Sequence, residues 1–425
     1  MKKKVLFASC IGNALEFFDF MLYGAFISLI AKAFFPNANT AISILMSISA
    51  FGVGLTMRPF GALIFGYFGD VFGRKNALSI SILMMGIPTF VIGILPTYEQ
   101  IGIISSLIII IGRLLQGICV GGEYNGAAIF AIEHFHKNPG LVGGCVTSSC
   151  AVGAILATAL GMLVQLPGTP EWAWRIPFLL GGVVSLVGYY IRRNLTESPV
   201  FLNTFSKPSI PIIKSILSRK RSCLVSFSFG ALNGAITYTL FGFLNIYLSR
   251  YFHMPLSTAL KINLFGLSGF MIGSPLLGAL YDKMPNFSFM QGISFTLFCV
   301  MLPIFWLISS ETQSLIIVGQ IALGFCTASI AGTGHVVMQK LFPVKERYSG
   351  ISFFFSLGLG IFGCMTPIIM IEAIEFHHDN LYFPAFFLMF LVILFYAVLK
   401  YSNVFKTPKK QHPLGRTQNL HSRKQ

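Results

Sequence analysis

The sequence predicts an all-α membrane protein, twelve transmembrane helices in two six-helix bundles. Three observations lead there. Of 425 residues, 55% are hydrophobic and only 10% charged, where a soluble domain would carry roughly 25% charge; mean hydropathy is +0.76. The apolar residues fall into twelve runs, most near the roughly 20 residues that a spanning helix needs. The runs are continuous and do not alternate polar with apolar, which excludes a β-barrel.

In chain order the runs cover about 10–33, 42–67, 76–97, 101–131, 141–165, 174–192, 222–248, 261–281, 287–309, 313–338, 349–371 and 381–400. The start, Met1-Lys2-Lys3-Lys4 and an apolar run, has the outline of a signal peptide. Glu16 and Asp19 inside that run and the lack of a small-residue cleavage site favour a retained first helix. The net charge of +16 sits in loops and tails. With twelve runs both termini share one side, together with Arg74, Lys75, Arg192, Arg193, Lys283, Lys340 and the seven basic residues from Lys400 onward. The other side holds Lys32, Arg175, Arg250 and Lys261 amid several acids, so the positive-inside rule predicts cytoplasmic termini. Topology thus accounts for the charge, and a nucleic-acid partner loses its support. The eight cysteines fall inside the runs without metal-site spacing, and read as free, buried and structural. No metal or cofactor is expected.

The longest polar interruption, Arg192 to Arg221, contains Pro199, Pro208 and Pro211 and divides the chain. The predicted organisation is a first bundle at 1–192, a cytoplasmic linker at 193–221, a second bundle at 222–400 and a disordered basic tail at 401–425. Asp70 after the second run and Asp282 after the eighth form a weak internal repeat. Two such halves with solute between them near the midplane are the pattern of one large class of secondary transporters.

Charges inside the runs mark the chemistry. Asn13, Glu16, Asp19 and Tyr23 lie on one helical stripe of the first run. Two buried carboxyls on one face suit proton carriage near neutral pH; the alternative is that one merely pairs with Arg58 or Arg113 to hold helices together. Arg58 precedes Pro59, which predicts a kink in the second run. The fourth run carries Arg113, Gln116 and Glu123; ten residues separate the two charges, about 15 Å along a helix, so each needs its own partner. Gly117 and Gly121, and Gly122 and Gly126, leave a flat face for close helix contact. Asn233, Thr237, Tyr238, Thr239, Asn245 and Tyr247 in the seventh run and His335 in the tenth are candidate cavity residues, with interhelical packing as the plainer reading. The GxGxxG from Gly358 to Gly363 lies inside a spanning run and is rejected as a nucleotide site.

The loop Gly66-Tyr-Phe-Gly-Asp70-Val-Phe-Gly73-Arg74-Lys75 resembles the GxxxDxxGRK signature of the major facilitator superfamily, with Val71 where a basic residue is usual. Arg113-xx-Gln116-Gly117, Gly121-Gly122-Glu123-Tyr124-x-Gly126 and Glu133-His134 resemble the metabolite:proton symporter family within it, whose members carry proline/betaine, α-ketoglutarate, citrate and shikimate. Gly12-Asn13-Ala14-Leu15-Glu16-Phe17-Phe18-Asp19-Phe20, Trp172 to Phe178, Leu195 to Phe201 and Arg347 to Gly350 extend the likeness over nearly the whole chain. The fifth run departs, with Gly144-Cys145-Val146-Thr147 where relatives show Gly-Ser-Trp.

The resemblance implies a major facilitator fold and a monomeric, multi-pass symporter of the bacterial inner membrane. It would use the proton gradient with no cofactor, its partners being an organic solute, protons and the lipid bilayer. Asp19, Glu16 and Glu123 are the expected proton-coupling residues, Glu123 by setting the surroundings of Arg113. Arg113, Asn13, Tyr23, Gln116 and Tyr238 are expected at the solute, and Asp70, Arg74, Lys75 and Asp282 in a gating latch. Charges of both signs favour a zwitterion such as proline or betaine, with di- and tricarboxylates as the alternative. A non-translocating sensor lacks an output domain here, and an enzyme lacks a recognisable nucleophile, base and metal set.

Overall fold

The computed structural model describes residues 2–164, 166–204, 212–284, 287–377 and 380–402. Among these every regular element is helical, and twelve long helices follow the predicted runs. They are α1 (Lys2–Ala25), α2 (Thr40–Val71), α3 (Arg74–Ile94), α4 (Ile103–His134), α5 (Pro139–Val164), α6 (Arg175–Arg193), α7 (Lys220–Tyr251), α8 (Leu256–Lys283), α9 (Phe287–Ile308), α10 (Gln313–Gln339), α11 (Arg347–Phe376) and α12 (Phe383–Ser402). Eleven are long and apolar enough to cross a membrane; α6, with arginines at both ends, is the twelfth by position.

Three local breaks shape the bundle. The first run stops at Phe26 and resumes as a short helix, Ile27–Phe34. α2 breaks at Met57, because Pro59 has no N–H to donate and favours the first turn of a restarted helix. α7 contains a π-helical turn at Thr239–Phe243, an element often found at functional sites. Tyr238 immediately precedes that turn and Phe241 lies in it.

The predicted glycine face of α4 works as a close-approach surface. A Cβ on Gly117 would lie 1.8 Å from Gly54 O, and one on Gly121 2.0 Å from Arg58 O. Without side chains there, α2 and α4 touch backbone to backbone. This contact fixes the relative positions of Arg58 and Arg113.

The two halves meet through α5 against α8 and α2 against α11. On the face that carries the basic residues, Gly140 lies against Gly278 and Gly66 against Ser349. The linker docks on that face. Glu197 accepts from the N–H groups of Arg74 (3.1 Å) and Lys75 (3.1 Å), capping α3.

One expectation fails here. The cysteines are free, but Cys299 is exposed and four others are only half-buried, since a spanning helix shows apolar and polarizable side chains to lipid as readily as to protein. The predicted tail from 403 onward, linker residues 205–211, and His378 and Asp379 lie outside the described residues.

Adding one methyl at the α2–α4 contact forces backbone apart. Gly121→Ala is expected to destabilise the protein by about 1–3 kcal/mol, read as a lowered unfolding midpoint in detergent. Gly24→Ala, whose Cβ meets nothing within 4 Å, is the matched control and should be near neutral.

Candidate functional site

α1, α2 and α4 bring two arginine–carboxylate pairs together in the first bundle. Arg58 Nη2 reaches Glu16 Oε1 at 3.2 Å, and Arg113 Nη2 reaches Asp19 Oδ2 at 3.2 Å. All four side chains are buried. The stripe predicted on the first run is therefore real, and each of its acids has an arginine on another helix.

The two pairs differ in surroundings. Asp19 also accepts from Thr89 Oγ1 (2.6 Å), which in turn accepts from Gln116 Nε2 (2.8 Å). The Arg113 guanidinium lies over the Tyr23 ring at 4.4 Å, and the Tyr23 hydroxyl bonds Ser47. That pair sits inside the first bundle. Glu16 and Arg58 face the second, across a cavity of about 20 Å³ lined also by Phe17, Phe20, Thr237, Tyr238 and Phe241. A second cavity of the same size joins Glu16, Asp19, Arg58, Arg113 and Gln116. A third links Arg58 to Asn233, Tyr124 and Phe270. Each is about large enough for one water.

Several polar atoms at these cavities have no hydrogen-bond partner: Glu16 Oε2, Arg58 Nε, Arg113 Nε, Gln116 Oε1, Asn233 Oδ1 and Thr237 Oγ1. Buried polar groups are normally satisfied, so a cluster of orphans marks a site with bonding capacity in reserve. Around it lie aromatic rings from both halves. Phe17 meets Phe241 edge-on at 5.8 Å, and Phe20 meets Tyr238 at 6.4 Å. Aromatic faces beside a carboxylate suit a cationic group, and paired guanidinium groups suit a carboxylate.

Other predicted residues lie elsewhere. Glu123 does not set the surroundings of Arg113: Arg192 holds it in a bidentate pair, with Ser81 Oγ donating at 2.6 Å. The ten-residue separation carries it to a different layer of α4. Asn13 does not line these cavities; its Nδ2 donates to Val146 O (2.6 Å), Ser149 Oγ (3.2 Å) and Cys150 Sγ (3.0 Å), fastening α1 to α5. Tyr23 stands behind Arg113, whereas Gln116 and Tyr238 line the cavities. Thr239 and Tyr247 bond within the second half, and His335 packs its ring on Tyr124 at 4.7 Å.

The latch residues gather on the basic face. Asp70 accepts from Tyr348 N (3.1 Å), Ser349 N (2.9 Å) and Ser349 Oγ (2.7 Å), and pairs with Arg74 at 3.2 Å. Arg74 donates to Val344 O at 2.6 Å across the same boundary. Asp282 mirrors this, accepting from Gly140 N (2.7 Å) and Leu141 N (2.8 Å) at the start of α5. Lys75 departs from the expectation: its Nζ reaches Arg193 O at the linker and does not cross to the second half.

Two residues have roles that the sequence does not show. Glu133 is a hub that binds Arg74 (3.5 Å), Arg347 (3.0 Å) and Ser198 Oγ (2.5 Å), tying latch, second half and linker together. Arg192 reads as a loop charge at the end of the sixth run but is buried on Glu123. The available signal was Glu123 itself, a buried acid with no cation of its own.

With this geometry in view, three kinds of likeness agree. The Major Facilitator Superfamily profile matches residues 9–367. The glycine betaine/proline/ectoine/pipecolic acid transporter OusA of Dickeya dadantii (strain 3937) is 30% identical over 409 residues, covering 92% of this chain and 81% of its own. The citrate-proton symporter of Salmonella typhi is 29% identical over 380 residues, covering 87% of each chain. In fold, the proton:xylose symporter XylE bound to 6-bromo-6-deoxy-D-glucose superposes with a TM-score of 0.68 at 14% identity, over 94% of this chain and 95% of that one.

Removing the Asp70 carboxylate leaves the N–H groups of Tyr348 and Ser349 without their acceptor, at about 1–3 kcal/mol for each, and takes one of its anions from Arg74. Asp70→Ala is expected to open the basic face. Impermeant maleimide applied there should label a Ser352→Cys reporter several-fold faster than in the parent, both in a background lacking the native cysteines. Unchanged labelling contradicts the latch.

Proposed function

This chain belongs to the major facilitator superfamily, and from that membership we propose a proton-coupled symporter that imports a small zwitterion bearing a carboxylate, such as proline or betaine. The observation that carries the reading is the pair of arginine–carboxylate contacts sharing one cavity, Glu16–Arg58 and Asp19–Arg113. Each arginine holds a protein carboxylate through a single hydrogen bond, with an Nε in reserve. A solute carboxylate competes for the same guanidinium groups. Asp19, displaced from Arg113 into a low-dielectric site, takes a proton. Arg113 and Arg58 are then free for the solute's carboxylate, while Glu16 and the rings of Phe17, Phe20, Tyr238 and Phe241 receive its cationic end.

The cycle is alternating access between the two bundles. The basic face is the cytoplasmic one, with both termini there, by the Lys/Arg bias. Asp70, Arg74, Glu133 and Asp282 hold that face shut and must part for release. The setting is a bacterial inner membrane, the active unit a monomer driven by the proton gradient without a cofactor. Betaine and proline, carried by one relative, and citrate, carried by another, bracket the solute chemistry.

A di- or tricarboxylate is the second reading, favoured by two arginines on one cavity. Thermal shift against both solute classes separates the two.

In proteoliposomes an inside-alkaline gradient is expected to drive accumulation of proline or glycine betaine. Asp19→Asn should lower accumulation at least about tenfold, the scale of one lost coupling step, while keeping solute counterflow. Uptake indifferent to the gradient contradicts proton coupling. Arg58→Gln alone strands Glu16, at about 3–5 kcal/mol; adding Glu16→Gln should restore the unfolding midpoint but not uptake.

A further inference from the structure

On the outer wall of the second bundle, α8 and α9 each pack on α10 and leave a groove of about 550 Å³ between them, within the roughly 300–1,000 Å³ of ligand sites. It is far larger than the central cavities and is lined by other residues. Leu280 of α8, Met284 just past its end, Phe289, Gly292 and Thr296 of α9 and Phe325 of α10 line it. A Cβ on Gly292 would meet nothing within 4 Å, so the groove is open beside it. Leu280, Met284 and Phe325 are also exposed on the bundle's outer surface. In a spanning protein that surface faces acyl chains.

The groove has a direction. From Ser288 to Thr296, α9 descends about 12 Å, from the basic face toward the middle of the bilayer. The mouth is positively charged. Lys283 is exposed and adjoins Met284; Lys340, also exposed, donates to Tyr281 Oη at 3.0 Å and lies over that ring at 5.1 Å. The Tyr281 ring contacts Phe289 at 5.5 Å, linking cation to wall. The nearby acid, Asp282, has both oxygens committed to Gly140 and Leu141 N–H groups. An apolar slot beginning near the membrane boundary, with two exposed lysines at that end, matches one molecule class: an anionic phospholipid, phosphate at the lysines and one acyl chain in the slot.

We propose that α8, α9 and α10 hold one such lipid as a bound ligand, apart from the annulus that any bilayer supplies. Its position carries a consequence. The chain lies against the last turn of α8, the turn that places Asp282 on α5. Bilayer composition therefore reaches a contact that closes the basic face.

The test uses the full chain purified from bilayers of phosphatidylcholine and phosphatidylglycerol in equal parts, with native mass spectrometry counting the lipid retained. The parent is expected to keep phosphatidylglycerol selectively. Gly292→Trp fills the slot and should lower retention several-fold, whereas Gly292→Ala should not. Lys283→Gln and Lys340→Gln, both at exposed positions, should each lower it about fivefold. Equal retention of the two lipids by the parent, or undiminished retention by both Gly292→Trp and the lysine double variant, overturns the proposal.

Discussion

A guanidinium in a membrane interior must find an anion, and this requirement organises the first bundle. Arg58, Arg74, Arg113 and Arg192 are all buried, and each is paired with a carboxylate at a distance in sequence or one turn away. An unpaired charge there costs about 3 kcal/mol or more, so the pairings dictate which helix faces meet. Glycines make the meeting possible. Gly117 and Gly121 let α2 and α4 touch, and a side chain at either would push Arg58 and Arg113 off their partners.

The pairs sort by how fully they are satisfied. Glu123 takes both Arg192 nitrogens and a serine hydroxyl, and Arg192 adds the carbonyls of Ala8 and Leu78, so nothing is left for a ligand. That pair is a rivet. Glu16–Arg58 and Asp19–Arg113 rest on single hydrogen bonds beside small cavities and keep unpartnered atoms. Breaking such a pair without a replacement anion is costly, so a partner exchange on either arginine needs an incoming carboxylate. Position adds to this. Arg58 faces the second half and shares a cavity with Tyr238 and with Phe241 of the π turn of α7.

Much of this was legible in the chain. The twelve runs, the stripe from Asn13 to Tyr23, the glycine face and the Asp70 loop follow from period, spacing and burial, which are local. The partners were not legible. That Arg113 takes Asp19 and Arg58 takes Glu16, and not the reverse, depends on the rotation of α4 and α2 about their axes. Asn13 lay on the right stripe but is consumed by α5, a helix whose facing residues no period identifies. Arg192 was hidden because an arginine at the end of an apolar run has the same spacing whether it snorkels to water or turns inward. The motif groups Lys75 with Arg74, yet adjacent residues on a helix point some 100° apart, and only Arg74 reaches the second half.

In the proposed cycle a solute carboxylate replaces Asp19 on Arg113, and Asp19 takes a proton. Proton uptake by the purified protein in weakly buffered solution, followed with a pH dye while glycine betaine or proline is added, tests it most directly. The parent should take up protons in proportion to solute bound, and Asp19→Asn should bind solute with no proton uptake. Solute binding by the parent without proton uptake, or uptake undiminished in Asp19→Asn, contradicts it.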